Sequence, residues 1–161
     1  MTKDVAILGI GNLLMGDEGF GVHVIRHLEE TYTFPDNVQL HDAGTAGIYL
    51  GPLLEDSDWV MVVDVIKSDN PPGTLEYLDD GDISGKNIQT SMSPHQLGIL
   101  EIIDICKLRG NEPETVDFLC AVPENIALGL ELTDTLQQRV AEIGAEIVGR
   151  LGRAGYKIGH A

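Results

Sequence analysis

Basic side chains are scarce in this sequence. Lys and Arg number 10 against 26 Asp and Glu, for a formal net charge of −16. Nucleic acids and anionic membranes attract proteins through basic surface, so neither is an expected partner. Cysteine is almost as scarce, with only Cys106 and Cys120. Two cysteines give no disulfide framework, and no Cys-x-x-Cys pair exists for zinc or redox chemistry. Both lie in apolar patterns with no basic neighbour in sequence to lower their pKa, and are expected to be reduced, buried thiols. Long apolar runs are missing too; the longest fall well short of a membrane span. Met1-Thr-Lys-Asp4 leads into a strand-like run without a signal-peptide cleavage pattern, so the expected location is the cytoplasm. No Gly-x-Ser-x-Gly elbow is present, which leaves a serine hydrolase without support.

What is there suits a folded domain. The chain has 161 residues, 43% hydrophobic and 22% charged, enough for one core and one domain spanning residues 1–161. Apolar spacing predicts strands at Val5–Gly9, Val38–Asp42, Trp59–Val65, Thr74–Leu78 and Val116–Val122. It predicts helices at Phe20–Glu30, Thr45–Leu54, Pro94–Leu108 and Thr133–Leu151. Ser93, Pro94 and Gln96 read as a capped start for the third helix, and Asp79–Ser93 as a loop. Strands alternating with helices imply a three-layer α/β fold around a twisted, mostly parallel sheet. Right-handed crossovers would then bring the C-terminal ends of the strands to one edge. That is where ligands collect in such folds.

Three polar residues stand where apolar segments stop. Glu18 lies in Gly9-Ile-Gly-Asn-Leu-Leu-Met-Gly-Asp-Glu-Gly-Phe-Gly21, Asp64 ends Trp59-Val-Met-Val-Val-Asp64, and His95 opens Ser93-Pro-His-Gln-Leu-Gly98. Two carboxylates and an imidazole form an oxygen–oxygen–nitrogen donor set for a divalent metal, with positions left open. Each residue also has a plainer role. Glu18 or its neighbour Asp17 would favour the dipole of the following helix, Asp64 would bond loop amides, and His95 would be a surface residue near a cap. A helix N-terminus disfavours imidazolium, and the neutral ring is the form that binds metal. Competing constellations are weaker. Gly9-Ile-Gly11 follows a strand, but position 14 is Leu14 where a dinucleotide fingerprint needs glycine. No Gly-Lys-Ser/Thr follows for a phosphate loop. His23 and His27 share a helix face without the Glu of a His-Glu-x-x-His site, and are expected to face solvent.

Five segments together resemble the hydrogenase maturation endopeptidases: the glycine-rich run 9–21, Asp42-Ala-Gly-Thr-Ala-Gly47, Val62-Val-Asp64, Pro72-Gly73 and Ser93-Pro-His-Gln-Leu-Gly98. The resemblance runs over nearly the whole chain in the family's order, with Ala43 standing where members often carry a second glycine. It implies a peptidase that removes the C-terminal extension of a nickel–iron hydrogenase large-subunit precursor after nickel insertion. It implies that Glu18, Asp64 and His95 are the metal ligands, that the nickel arrives with the precursor, and that other divalent ions can take its place. It implies a further functional role for Asp42, beside Glu18 and Asp64, in catalysis. A Lewis-acid metal would polarise the scissile carbonyl or activate water; Asp42 would instead act as general base. A monomer is expected. The alternative from a different class is a non-catalytic metal-binding or chaperone module using the same three ligands, for which the Asp42 segment would be superfluous.

Overall fold

The computed structural model describes residues 3–44, 50–79 and 94–161, with the side chains of 94–97 outside the description. A five-stranded sheet is built from β1 (Val5–Ile10), β3 (Val38–Gly44), β4 (Trp59–Val65), β5 (Leu75–Asp79) and β6 (Thr115–Ala121), in the order β3-β1-β4-β6-β5. All neighbours pair in parallel except β5, which runs antiparallel to β6 at the edge. The helices are α1 (Phe20–Thr31), α2 (Gly51–Glu55), α3 (Pro94–Leu108) and α4 (Asp134–Arg153).

Period-two alternation divides the core in two. Ala6, Leu8, Val60, Val62, Val116 and Phe118 face Leu54 of α2 and Ile99, Ile102, Ile103 and Cys106 of α3. Val5, Ile7, Met61, Val63 and Leu119 face the other way, onto Phe20, Val24, Ile25 and Leu28 of α1 and Leu136, Val140, Ile143 and Ile147 of α4. β1 and β4 are covered on both sides, which explains their unbroken apolar runs. α4 starts where Thr133 accepts a hydrogen bond from the Leu136 amide through its hydroxyl.

Several expectations change. The second helix is shorter than predicted, Gly51–Glu55, and residues 45–49 lie outside the described residues, as does the predicted loop over 80–93 with the Ser93 cap. The tail after Gly152, weak in sequence signal, supplies β7 (Gly159–His160), which pairs antiparallel with β2 (Tyr32–Thr33) at the end of α1. Both cysteines are buried free thiols. Burial, with the Glu55 carboxylate adding, pushes the Cys106 thiol up, away from the thiolate a nucleophile needs.

α1 lies unusually close to the sheet. A Cβ on Gly21 would come 2.7 Å from the Ile10 nitrogen and nearer still to the carbonyls of Ile10 and Val63. Only glycine lets the helix backbone rest on the ends of β1 and β4. This contact fixes the start of α1 at the C-terminal edge of the sheet.

Candidate functional site

The chain runs from β1 through α1 to β3, then returns to place β4 on the other side of β1. α1 packs on one face of the sheet and α3, which follows β4, on the other. The order therefore reverses between β1 and β4, and the crevice outside the C-terminal ends of those two strands is where an open α/β sheet binds ligands.

Gly11, the first residue past β1, is the hub of that crevice. Its φ of +133° excludes an ordinary side-chain residue. Its amide donates to the Gly44 carbonyl at the end of β3 (3.1 Å). A Cβ placed on it would meet the Glu18 carbonyl on one side and lie 3.6 Å from Asp64 Oδ1 on another. Three sequence-predicted segments, carrying Glu18, Asp64 and Asp42, thus converge on one glycine.

Asp64 is fully buried, with 0% exposure. It follows Val60 and Val62 on the α3 face, and its Oδ1 accepts from the Val65 amide (2.7 Å). Glu18 is half-buried in the 3-10 turn Gly16–Gly19 that leads into α1, and its carboxylate makes no hydrogen bond or ion pair among the described residues. Asp42 is exposed near the end of β3, in register with Gly9, just before the ladder shifts so that Ile10 pairs with Gly44. Its carboxylate curls towards Gly44, whose φ is +50°, with Oδ1 3.8 Å from where a Cβ would stand. It too is without a hydrogen bond among the described residues. β3 and β4 flank β1, so the Asp42 and Asp64 backbones stand about 10 Å apart, two strand spacings.

His95 is the second residue of α3, and its side chain lies outside the described residues. α3 ends shortly before β6, which is parallel to β4, so α3 runs back along the sheet and begins at the C-terminal edge. His95 therefore enters from the face on which Asp64 points, opposite α1. Among the described residues no three His, Cys, Asp or Glu side chains group to hold a metal; Glu18 and Asp64 are the two members of the predicted set that the description reaches. Their chemistry suits a divalent ion: both are carboxylates, Glu18 without a hydrogen bond or ion pair among the described residues and Asp64 fully buried.

Asp17, adjacent to Glu18, does not cap α1. It is fully buried, and its two oxygens accept from the amides of Glu124 (2.9 Å), Asn125 (3.0 Å) and Thr133 (2.8 Å) and from the Thr133 hydroxyl. Sequence reasoning paired the two acids without separating them. The missing signal was the distant 124–133 loop, whose free amides require a carboxylate. His23 and His27 do not face solvent as expected. His23 Nε2 is buried and has no hydrogen-bond partner among the described residues. His27 packs on Gly144 of α4, where a Cβ would come 3.0 Å from its ring. Burial, with the Arg26 guanidinium, holds His23 below its usual value; burial does the same to His41.

Comparison with known proteins places these features in company. A family model described as hydrogenase maturation protease matches residues 22–150. The hydrogenase 2 maturation protease of Escherichia coli (strain K12) is 30% identical over 152 residues, covering 94% of this chain and 92% of that one. The hydrogenase expression/formation protein HupD of Rhodobacter capsulatus is 39% identical over 119 residues, covering 74% of this chain; the match spans 57% of that relative. Among solved structures, the hydrogenase maturating endopeptidase HybD from Escherichia coli superposes with a TM-score of 0.90 at 29% identity, covering 98% of this chain and 97% of that one. A hydrogenase 2 maturation peptidase from a Thaumarchaeota archaeon gives a TM-score of 0.70 at 32% identity, covering 93% and 99%.

Proposed function

This chain belongs to the hydrogenase maturation protease family and is a peptidase, and from that premise we propose that it removes the C-terminal extension of a nickel–iron hydrogenase large-subunit precursor once nickel is in place. The observation that carries the reading is the convergence on Gly11, at the switch point of the sheet, of the buried Asp64 carboxylate and the backbone of the turn that bears Glu18. Glu18, Asp64 and His95 recognise the nickel that the substrate carries. Oxygen and imidazole donors suit nickel and other divalent ions alike, so the substrate's metal, more than the donor set, defines specificity.

A set of three side chains leaves coordination positions for the substrate's own ligands, as sensing a metal already bound elsewhere requires. Asp42 stands about two strand spacings from Asp64. That separation accommodates a metal-bound segment at Asp64 and Glu18 with the scissile peptide reaching towards Asp42. An exposed carboxylate with no hydrogen-bond partner among the described residues is free to take a proton from the attacking water. Hydrolysis then adds that water across the amide, leaving a carboxylate on the mature subunit and an amine on the released extension.

The decisive assay is mass spectrometry of nickel-loaded and nickel-free precursor, each mixed with the wild-type protein and with His95→Ala. The expected result is one discrete C-terminal mass loss, from the loaded precursor and the wild-type protein only. Stable binding to the loaded precursor without any mass loss would replace this reading by that of a non-catalytic assembly chaperone.

A further inference from the structure

Exposed apolar side chains concentrate at one place beside the site. Of the seven large exposed apolar residues among those described, four are Leu14 (56% exposed), Ile126 (50%), Leu128 (84%) and Leu130 (67%). They come from two segments that clasp each other. The Gly129 amide donates to the Leu14 carbonyl (2.8 Å), and the Gly16 amide donates to the Gly129 carbonyl (2.8 Å). The leucines at 128 and 130 therefore flank the residue to which Leu14 is bonded.

This exposure is built in. The 124–133 loop is tied at Glu124, Asn125 and Thr133 to the buried Asp17 carboxylate, and at Gly129 to residues 14 and 16. A loop pinned at that many points cannot turn its leucines into the core. Contiguous exposed apolar surface held in place is the mark of an interaction site.

We propose that this lip, formed by Leu14, Ile126, Leu128 and Leu130, is the docking surface for an apolar, basic-flanked segment of the large-subunit precursor. The inference rests on the proposed function above. Charge argues for the flanks: exposed Glu124 and Glu131 bracket the leucines, on a chain whose net charge is −16. Position argues for the precursor as occupant. Leu14 and Met15 run straight into the turn that holds Glu18, so a segment seated on the lip is led into the site. The lip supplies affinity for the polypeptide, and the metal ligands supply the test for nickel.

The experiment compares the wild-type protein with the double variant Leu128→Ser, Leu130→Ser on nickel-loaded precursor, reading KM and kcat by mass spectrometry. Urea denaturation checks that both are folded; their exposed positions predict equal stability. The expected result is a KM raised at least about tenfold with kcat unchanged, the size of a moderate interface contact. KM for the wild-type protein should also rise with salt, as basic flanks require. A double variant with KM within about twofold of wild type, or one that loses only kcat, would overturn the docking surface while leaving the peptidase reading intact. Failure of the wild-type protein itself to process the precursor would instead overturn the proposed function, and this inference with it. Sedimentation of both proteins covers the remaining occupant: a wild-type dimer that the double variant abolishes would assign the lip to a second copy of this chain and overturn the inference.

Discussion

Replacing Asp17 by asparagine keeps the shape of the side chain and removes half of its acceptor capacity. Oδ2 accepts from two backbone amides, Glu124 and Asn125, and Oδ1 from a third, Thr133. An asparagine amide has one acceptor oxygen and one donor group. If the oxygen takes the place of Oδ1, the NH2 group faces the Glu124 and Asn125 amides, donor against donor; flipping it sets the NH2 against the Thr133 amide. The first arrangement loses two charge-assisted bonds, each worth about 1.5–3 kcal/mol when the acceptor is charged. The second loses one and weakens the other two. Residues 124 and 125 are exposed, so water reaches the released amides and the lower bound applies to each. The expected loss is about 3 kcal/mol, which for a chain of this size lowers Tm by about 6–12 °C. Urea denaturation followed by circular dichroism measures the first figure and a thermal scan the second. The neighbouring Glu18→Gln is the control. Its carboxylate has no partner among the described residues, so its stability should stay within about 0.5 kcal/mol of wild type while processing is lost. An Asp17→Asn protein as stable as Glu18→Gln would show that the 124–133 loop is held by its other contacts and that the buried carboxylate is not its anchor.

Gly21→Ala forces a methyl group into the backbone of β1 and β4 and should cost about 3 kcal/mol in urea denaturation, since neither strand can move aside; an unchanged midpoint would mean α1 can lift from the sheet. Asp42→Asn should lower kcat by at least about a hundredfold while nickel-loaded precursor still binds, whereas Asp64→Asn should weaken that binding; full turnover by Asp42→Asn in the mass-spectrometric assay removes it as general base. His23 is held below its usual value by burial and by Arg26, so its neutral form is favoured in the folded state. Its contribution is whole above the unfolded value of about 6.5 and is lost as pH falls below it. Thermal scans from about pH 7.5 to about pH 5 should show Tm falling, and His23→Gln should flatten the fall; an unchanged slope would refute the assignment.

The layers were legible because each core strand and helix carries its own period. Val60, Val62 and Met61, Val63 alternate between two cores, so β4 had to be central, and Asp64 near its end could be picked out as the residue that breaks the run. The glycines of residues 9–21 could be sensed as close approach or positive φ, but not told apart: Gly21 serves the first purpose and Gly11 the second. Three features were invisible for a common reason, their partners being far away in sequence. Asp17 depends on amides 107 to 116 residues further on. His23 comes near the Leu130 backbone across the same gap, and β7 finds an edge only because β2, Tyr32–Thr33, follows α1. Local pattern cannot announce a contact that folding alone creates.

The two adjacent acids divide a task that one could not perform. A carboxylate that must meet a metal has to stay free of protein donors, and a free group on a surface turn is poorly positioned. Glu18 has no hydrogen bond or ion pair among the described residues, and its neighbour is bonded by three amides and a hydroxyl. Immobilising Asp17 immobilises the 3-10 turn, so Glu18 loses little further freedom when its ligand arrives, and less of the binding energy goes into ordering. The same anchor holds the loop that carries Ile126, Leu128 and Leu130. One buried carboxylate thereby sets the distance between the lip and the metal ligands, the distance along which a precursor would have to lie. A site that must read a metal and a peptide together needs that spacing fixed before either arrives.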